Sequence, residues 1–522
     1  MVRRLTVIAS SALICLVASS PEATAAGMAC AELATLSLPG ATITAAHEVP
    51  AGNYTPPQGP AQTNLPSFCR VALTVSPQIQ IEVWLPKDTW NGRYRGEGGG
   101  GYAGQISLGG LAAGIRAGYA SASTDTGHPA SAGGTFALNA DGTLNTQLIG
   151  DFAERSLHEL VLKAKAVIKA YYGTAPSYSY WNGCSTGGRQ GLMAAQRFPE
   201  EYDGLIIGAP AINWDRFIPS ELWPHIVMNK SVGAPINVSK LTAVTKAAVA
   251  ACDPNDGVVD GIINDPRKCT YDPAALVCKP GDDATSCLTS TEADAIRKIW
   301  NGPTSPSGER LWFGLERGAA LNFLAGSNPF PIATTHFQHW LRQNPNFDWR
   351  ALSEADFEAD FKASQRKFGD VIGTDDPKLA AFRKHGGKMI IWHGEADQLI
   401  FPRGTVNYYE RVVAENGGAR QVDQFARLFM APGVGHCAGG DGPNPVGTFE
   451  ALVNWVEKGV APNTILASRK RQDGTELTRP LCRYPTTAKW AGKGSTDDAA
   501  NFTCVDGQQK TSDFRVARPV RK

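Results

Sequence analysis

Five residues, Gly183-Cys184-Ser185-Thr186-Gly187, constrain this chain more than any other stretch. They fit the pattern G-x-S-x-G, and their context matches it: residues 177–181 read as a short strand and residues 189–197 as a helix. Glycine on both sides permits a sharp strand-to-helix turn. Such a turn lifts Ser185 Oγ above a sheet edge and aims the Thr186 N–H at a carbonyl under attack, beside the positive end of a helix. Residues 205–207 supply a second apolar strand. Strand, helix and strand at this spacing make a βαβ unit, hence a parallel sheet.

A serine nucleophile needs a base and an acid that orients the base. On such a sheet they follow in the order Ser, Asp, His. Asp397, in His393-Gly394-Glu395-Ala396-Asp397, follows the buried apolar strand 389–392, so its carboxylate falls at a strand's C-terminal end. Glu395 is out of phase, and no strand leads into Asp423. His436, in Pro432-Gly433-Val434-Gly435-His436-Cys437, lies in a Gly-rich loop after the strand at 426–430. Cys184 precedes the serine and Cys437 follows the histidine. If Ser185 and His436 meet, these cysteines fall within the ~4.4–6.8 Å Cα spacing of a disulfide, which clamps nucleophile and base together. The second oxyanion donor, after Thr186, is expected from the Gly-rich loop 98–101, with Gly100 or Gly101 favoured.

The start of the chain sets the compartment. Arg3 and Arg4, an apolar run over residues 5–18 and the small residues 23–26 form an export signal, so residues 1–26 are expected to be removed. Removal takes Arg3, Arg4, Glu22 and Cys15, leaving a formally neutral chain with ten of the eleven cysteines. An even count in an exported protein reads as disulfides, so the protein is expected to be secreted or periplasmic. Near-zero charge gives no footprint for nucleic acid or an anionic membrane. At 43% hydrophobic residues the chain has ample core.

Three textures follow along the chain. Residues 27–212 alternate short strands with Gly-rich turns. Within them residues 73–85 read as strand, and residues 156–170 carry apolar groups at helical spacing. Residues 213–385 hold four cysteines, many Asp and Pro, and an aromatic density including Trp300, Trp312, Trp340 and Trp349. They read as an inserted, mostly helical and irregular lid. From 386 to 522 the α/β texture returns, with residues 448–457 an amphipathic helix. The expected architecture is an α/β-hydrolase core split by a large lid domain.

The run Trp181-Asn182-Gly183-Cys184-Ser185-Thr186-Gly187-Gly188-Arg189-Gln190, with Phe198-Pro199, Asp203-Gly204 and Gly208-Ala209-Pro210-Ala211, resembles the tannase/feruloyl esterase family, a group that includes mono(2-hydroxyethyl) terephthalate hydrolases. That family's Cys-Ser, Asp and His-Cys elements match Cys184-Ser185, Asp397 and His436-Cys437. The resemblance implies the disulfides Cys30–Cys69, Cys184–Cys437, Cys252–Cys269, Cys278–Cys287 and Cys482–Cys504. It places His393 near the acyl pocket. It also implies a structural Ca²⁺ in the lid, held by carboxylates of Asp253, Asp256 and Asp260 and carbonyls of Val258 and Ile262. The loop itself concentrates hard oxygen donors suited to Ca²⁺. It is not an EF-hand, because Val258 and Asn264 stand where the glycine and the bidentate Glu belong.

The expected activity is that of a serine esterase without organic cofactor. Its partners are small aromatic esters of plant-cell-wall or polyphenol origin, since flat rings bury well among aromatic side chains. Hydroxycinnamoyl (feruloyl) esters come first, gallate esters second and terephthalate monoesters third, because no carboxylate-binding Arg aligns in the lid. The non-enzymatic rival is an inactive, calcium-stapled secreted binding protein, against which the intact Ser, Asp and His argue.

Overall fold

The computed structural model describes residues 27–507. The expected export segment, with Cys15, lies outside the described residues. The frame is a nine-stranded sheet: β1 (Ala41–Val49), β2 (Phe68–Val75), β3 (Ile79–Pro86), β4 (Arg93–Glu97), β5 (Ala120–Thr124), β6 (Tyr178–Cys184), β7 (Gly204–Gly208), β8 (Lys388–Gly394) and β9 (Ala426–Ala431). Their spatial order is β1-β2-β3-β5-β4-β6-β7-β8-β9. The first three pair antiparallel, β3 meets β5 antiparallel, and from β5 to β9 all neighbours are parallel. Parallel neighbours need crossovers, which the helices supply. The stretch 73–85, read as continuous strand, is two antiparallel strands turned at Ser76–Gln78. Alternation of two survives such a turn, so periodicity alone could not mark it.

The principal helices are α1 (Leu108–Arg116), α2 (Ser156–Tyr172), α3 (Thr186–Arg197), α4 (Trp214–Val227), α5 (Val238–Cys252), α6 (Ser290–Asn301), α7 (Glu354–Ile372), α8 (Pro402–Glu415) and α9 (Thr448–Lys458). Alternate strand residues face opposite helix layers. Leu205, Ile207, Met389, Ile391, Leu428 and Met430 pack with α2, α3 and α8. Ile206, Ile390, Trp392 and Phe429 pack with Leu452 and Trp455 of α9. Both faces are therefore dry, as a parallel sheet requires.

The insert has its own core. Trp214, Phe217, Trp223, Trp300, Phe337, Trp340 and Phe357 form one apolar cluster. That cluster also takes Tyr102, Phe136 and Phe152 from the first half of the chain and Ile400 and Phe401 from the second. Caps fix its helices. Thr289 and Glu292 satisfy each other's backbone amides at the start of α6, and Ser353 and Asp356 do so at α7. Two buried ion pairs dock it on the core, Arg267 to Glu395 at 3.2 Å and Glu316 to Arg403 at 2.8 Å. Beyond β9 a three-stranded antiparallel sheet (Asn444–Pro445, Thr464–Lys470, Glu476–Cys482) and a hairpin (Thr486–Trp490, Phe502–Asp506) follow among the described residues. All five disulfides implied by the resemblance are present. No helix among the described residues is long and apolar enough to cross a membrane.

Candidate active site

Cys184 pairs with Gly208, Trp392 with both Gly208 and Phe429, and Gly394 with Ala431, so β6 to β9 finish along one edge of the sheet. Ser185, Asp397 and His436 each follow one of these ends. Ser185 sits at φ 61°, ψ −125°, a conformation L-residues rarely adopt. Its N–H donates to the Gly208 carbonyl at 3.0 Å, and its own carbonyl accepts from Ala211. The turn depends on Gly183, where a Cβ would lie 2.4 Å from the Gly187 carbonyl carbon.

Asp397 is fully buried and saturated with donors. Oδ1 accepts the Leu399 and Ile400 amides at 2.8 and 2.9 Å. Oδ2 accepts His436 Nδ1–H at 2.8 Å and His393 Nε2–H at 3.0 Å. Burial alone would raise the Asp397 carboxyl. The imidazoles of His436 and His393 outweigh burial and hold it well below the usual carboxylate range. With Nδ1–H committed to Asp397, His436 keeps Nε2 as a proton acceptor. The two rival acids are spent elsewhere, Glu395 on Arg267 and Asp423 on Arg483.

The Cys184–Cys437 bridge spans 5.9 Å between Cα atoms and 253 residues of sequence. It fixes the His436 loop against the Ser185 turn. Gly394 lets that loop approach β8, since a Cβ there would lie 2.3 Å from the Val434 carbonyl oxygen. The Gln398 side chain accepts the His436 N–H at 3.1 Å. Ser185 Oγ makes no hydrogen bond among the described residues, so the bridge rather than a Ser–His hydrogen bond ties the two here.

The loop after β4 is clamped from several sides. The Gly98 and Gly99 amides donate to the Asn182 carbonyl and to Gln190 Oε1. They are thus unavailable to an oxyanion, which leaves Gly100 and Gly101. Thr186 Oγ1–H donates to the Gly101 carbonyl at 2.5 Å, tying both expected oxyanion arms to each other. Buried His128 donates Nε2–H to the Tyr102 carbonyl at 2.7 Å. His128 carries no motif and comes from an element remote in sequence, and Gln190, though inside the 181–190 run, gives no local sign that its side chain reaches the 98–101 loop.

The structure places His393 at the acid of the site. It lies fully buried beside Asp397, as a partner of that carboxylate. Odd-numbered β8 residues point to the α3/α8 side, and His393 continues that series. Its Nε2 faces both Asp397 and the Ile400 carbonyl (3.1 Å), so Nε2 carries the proton and Nδ1 accepts the Thr405 hydroxyl at 2.8 Å.

The acidic loop is closed by the Cys252–Cys269 bridge. Asp253 accepts the Asp260 and Gly261 amides, Asp256 the Val258 amide and Asp260 the Ile262 amide. Arg479 pairs with the second oxygen of Asp260. Among the described residues no three His, Cys, Asp or Glu side chains converge as metal ligands. The donors are all oxygen, which in chemistry fits a hard cation.

A sequence profile described as tannase and feruloyl esterase matches residues 64–505. A probable feruloyl esterase of Arthroderma benhamiae is 39% identical over 475 residues, covering 86% of this chain and 88% of that protein. An uncharacterized esterase of Xanthomonas campestris pv. campestris is 37% identical, covering 95% and 94%. Among solved structures, feruloyl esterase B from Aspergillus oryzae superposes with a TM-score of 0.83 at 29% identity, over 90% of this chain and 98% of that one. Tannin acyl hydrolase from Aspergillus niger gives 0.80 at 27%, over 90% and 92%.

Proposed function

The chain belongs to the tannase and feruloyl esterase family, and from that premise we propose that it is a serine carboxylesterase whose triad is Ser185, His436 and Asp397, acting on esters of hydroxycinnamic acids. The observation that carries the triad is the His436–Asp397 hydrogen bond, combined with a disulfide that ties the base's neighbour to the nucleophile's. His436 Nε2 takes the Ser185 proton as Oγ attacks the ester carbonyl. The Thr186 amide and that of Gly100 or Gly101 receive the oxyanion. Asp397, ionised and saturated, holds the imidazole in one tautomer and stabilises the imidazolium, which then protonates the leaving alcohol. Water attacks the acyl-enzyme by the same route. The preformed clamp on the 98–104 loop means that the donors need little reorganisation during reaction.

The aromatic cluster that joins Tyr102, beside the oxyanion loop, to Trp214 supports an aromatic acyl group. The names of the fungal relatives favour feruloyl over galloyl esters. Five disulfides support export, consistent with the export signal read at the chain's start. For the acidic loop we infer Ca²⁺ held by Asp253, Asp256, Asp260 and the Val258 and Ile262 carbonyls, in a structural role apart from the chemistry; Arg479 on Asp260 would compete with the ion. The test is a fluorophosphonate probe with mapping of the labelled peptide, followed by hydrolysis of methyl ferulate, methyl gallate and mono(2-hydroxyethyl) terephthalate. The expected outcome is adduct on Ser185 and fastest turnover of methyl ferulate. An unlabelled Ser185 in folded protein overturns the esterase reading.

A further inference from the structure

We propose that Glu221, on the first helix of the insert, is the hydrogen-bonding partner for a phenolic hydroxyl on the substrate's aromatic ring, and so a specificity-determining residue. The proposal rests on the reading of Ser185 as an aromatic esterase nucleophile and names the feature of the acyl group that the site selects.

Glu221 is 1% exposed, yet its carboxyl makes no hydrogen bond or ion pair among the described residues, and Oε2 is sealed from solvent without a partner. Buried polar groups are almost always paired, so an orphaned acid calls for a partner the protein does not itself supply. Its helix neighbours belong to the buried cluster that also takes Tyr102, the residue after the oxyanion loop. Trp214, Ile218, Glu221 and Leu222 recur at helical spacing on α4. The Trp214 ring lies 5.5 Å from that of Tyr102, which directly follows Gly100 and Gly101. Ile218 and Leu222 share a cluster with Tyr102, Ile400 and Phe401, and the Ile400 amide holds Asp397. Glu221 is thus within electrostatic reach of Tyr102, beside the oxyanion loop, and of Asp397, the proposed triad acid. The nearby His225 does not absorb it: its ring packs edge-on against Trp349, 5.5 Å between centroids.

Burial, reinforced by the negative charge of Asp397, holds the Glu221 acid well above its usual range. Burial thus favours its protonated form, which has one O–H donor and acceptor capacity to spare. Such a group pairs with a phenol in both directions, accepting its proton and donating to its oxygen. It offers nothing to an unsubstituted ring and no countercharge to a ring-bound carboxylate.

The experiment measures kcat/KM for methyl p-coumarate and methyl cinnamate, which differ by one ring hydroxyl, in wild type, Glu221→Gln and Glu221→Leu. The wild type is expected to prefer the hydroxylated ester. Glu221→Leu should lose at least about tenfold on methyl p-coumarate while changing less than about threefold on methyl cinnamate, because a lost polar partner penalises only the substrate that used it. Glu221→Gln, nearly isosteric, should retain part of the preference. If Glu221→Leu does not fold, the coumarate-to-cinnamate ratio of Glu221→Gln decides: an unchanged ratio overturns the proposal. Equal loss on both esters, or loss on neither, also overturns it. A wild type that turns over both esters without preference removes this inference and leaves the esterase standing. A wild type that hydrolyses neither and resists the fluorophosphonate removes the esterase reading itself.

Discussion

The sheet edge and the insert meet across the active site, but they are held by different physics. In β7, β8 and β9 every second side chain faces the same dry layer, so Met389, Ile391, Leu428 and Met430 specify register simply by alternating. The insert has no such period. Its order comes from large aromatic groups in one cluster, from reciprocal caps at α6 and α7, from two local disulfides and from buried ion pairs to Glu395 and Arg403. The sheet edge holds the groups that must not move by an ångström. The insert holds the aromatic cluster proposed to shape the acyl site. Chemistry is thus expected to depend steeply on the first region, and selectivity on the second.

The sharpest way to break that division is at the edge itself. Ser185→Ala should lower kcat by roughly 10⁴-fold or more, and Asp397→Asn by about 10⁴-fold, with circular dichroism unchanged. A loss below about tenfold in either would relocate the chemistry. The two kinds of disulfide provide the next contrast. Cys184 and Cys437 close a 253-residue loop, Cys278 and Cys287 one of 9. Chain entropy assigns these roughly 5 and roughly 2.5 kcal/mol of stability. Replacing the first pair by serine should also cost on the order of 10- to 100-fold in turnover, since it frees the base from the nucleophile. Replacing the second should leave kcat unchanged. Stopped-flow kinetics and thermal melts read both, and equal kinetic effects would erase the distinction.

A finer test concerns His393. If it positions Asp397, His393→Ala lowers kcat by roughly 10- to 100-fold with KM unchanged, and Thr405→Val, which removes only the hydroxyl on Nδ1, gives a smaller loss of the same kind. A rise in KM alone would return His393 to the substrate pocket. The smallest effect on turnover belongs to the acidic loop. Chelation, or Asp256→Asn, should lower the melting temperature by roughly 5 °C at saturating calcium and leave kcat at 25 °C unaltered. A melting temperature indifferent to calcium removes the ion.

Much of the site was legible before any coordinates, and for particular reasons. Ser185 announces itself through glycines that only a tight turn needs. Asp397 and His436 each stand just past an apolar run, and Cys184 and Cys437 join the two ends by their position alone. The second oxyanion arm was legible as a loop. Gly100 or Gly101 was already favoured; the structure adds the reason, that Asn182 and Gln190 occupy the Gly98 and Gly99 amides. That His393 faces Asp397 was not legible, because a residue four positions from that acid can face it or face away, and strand phase decides which.

The sequence by itself determined the fold class and, through the resemblance, the five disulfides, and it set the order of the candidate triad. These rest on local patterns: strand period, turn glycines and cysteines whose neighbours are already placed. Only the tertiary structure decided that Tyr102, Phe136 and Phe152 join the insert's core, that His128 and Gln190 hold the oxyanion loop, and that Glu221 is buried without a partner. Those facts depend on contacts between residues tens to hundreds of positions apart. No local pattern encodes them, because a side chain's partner is set by how whole layers pack.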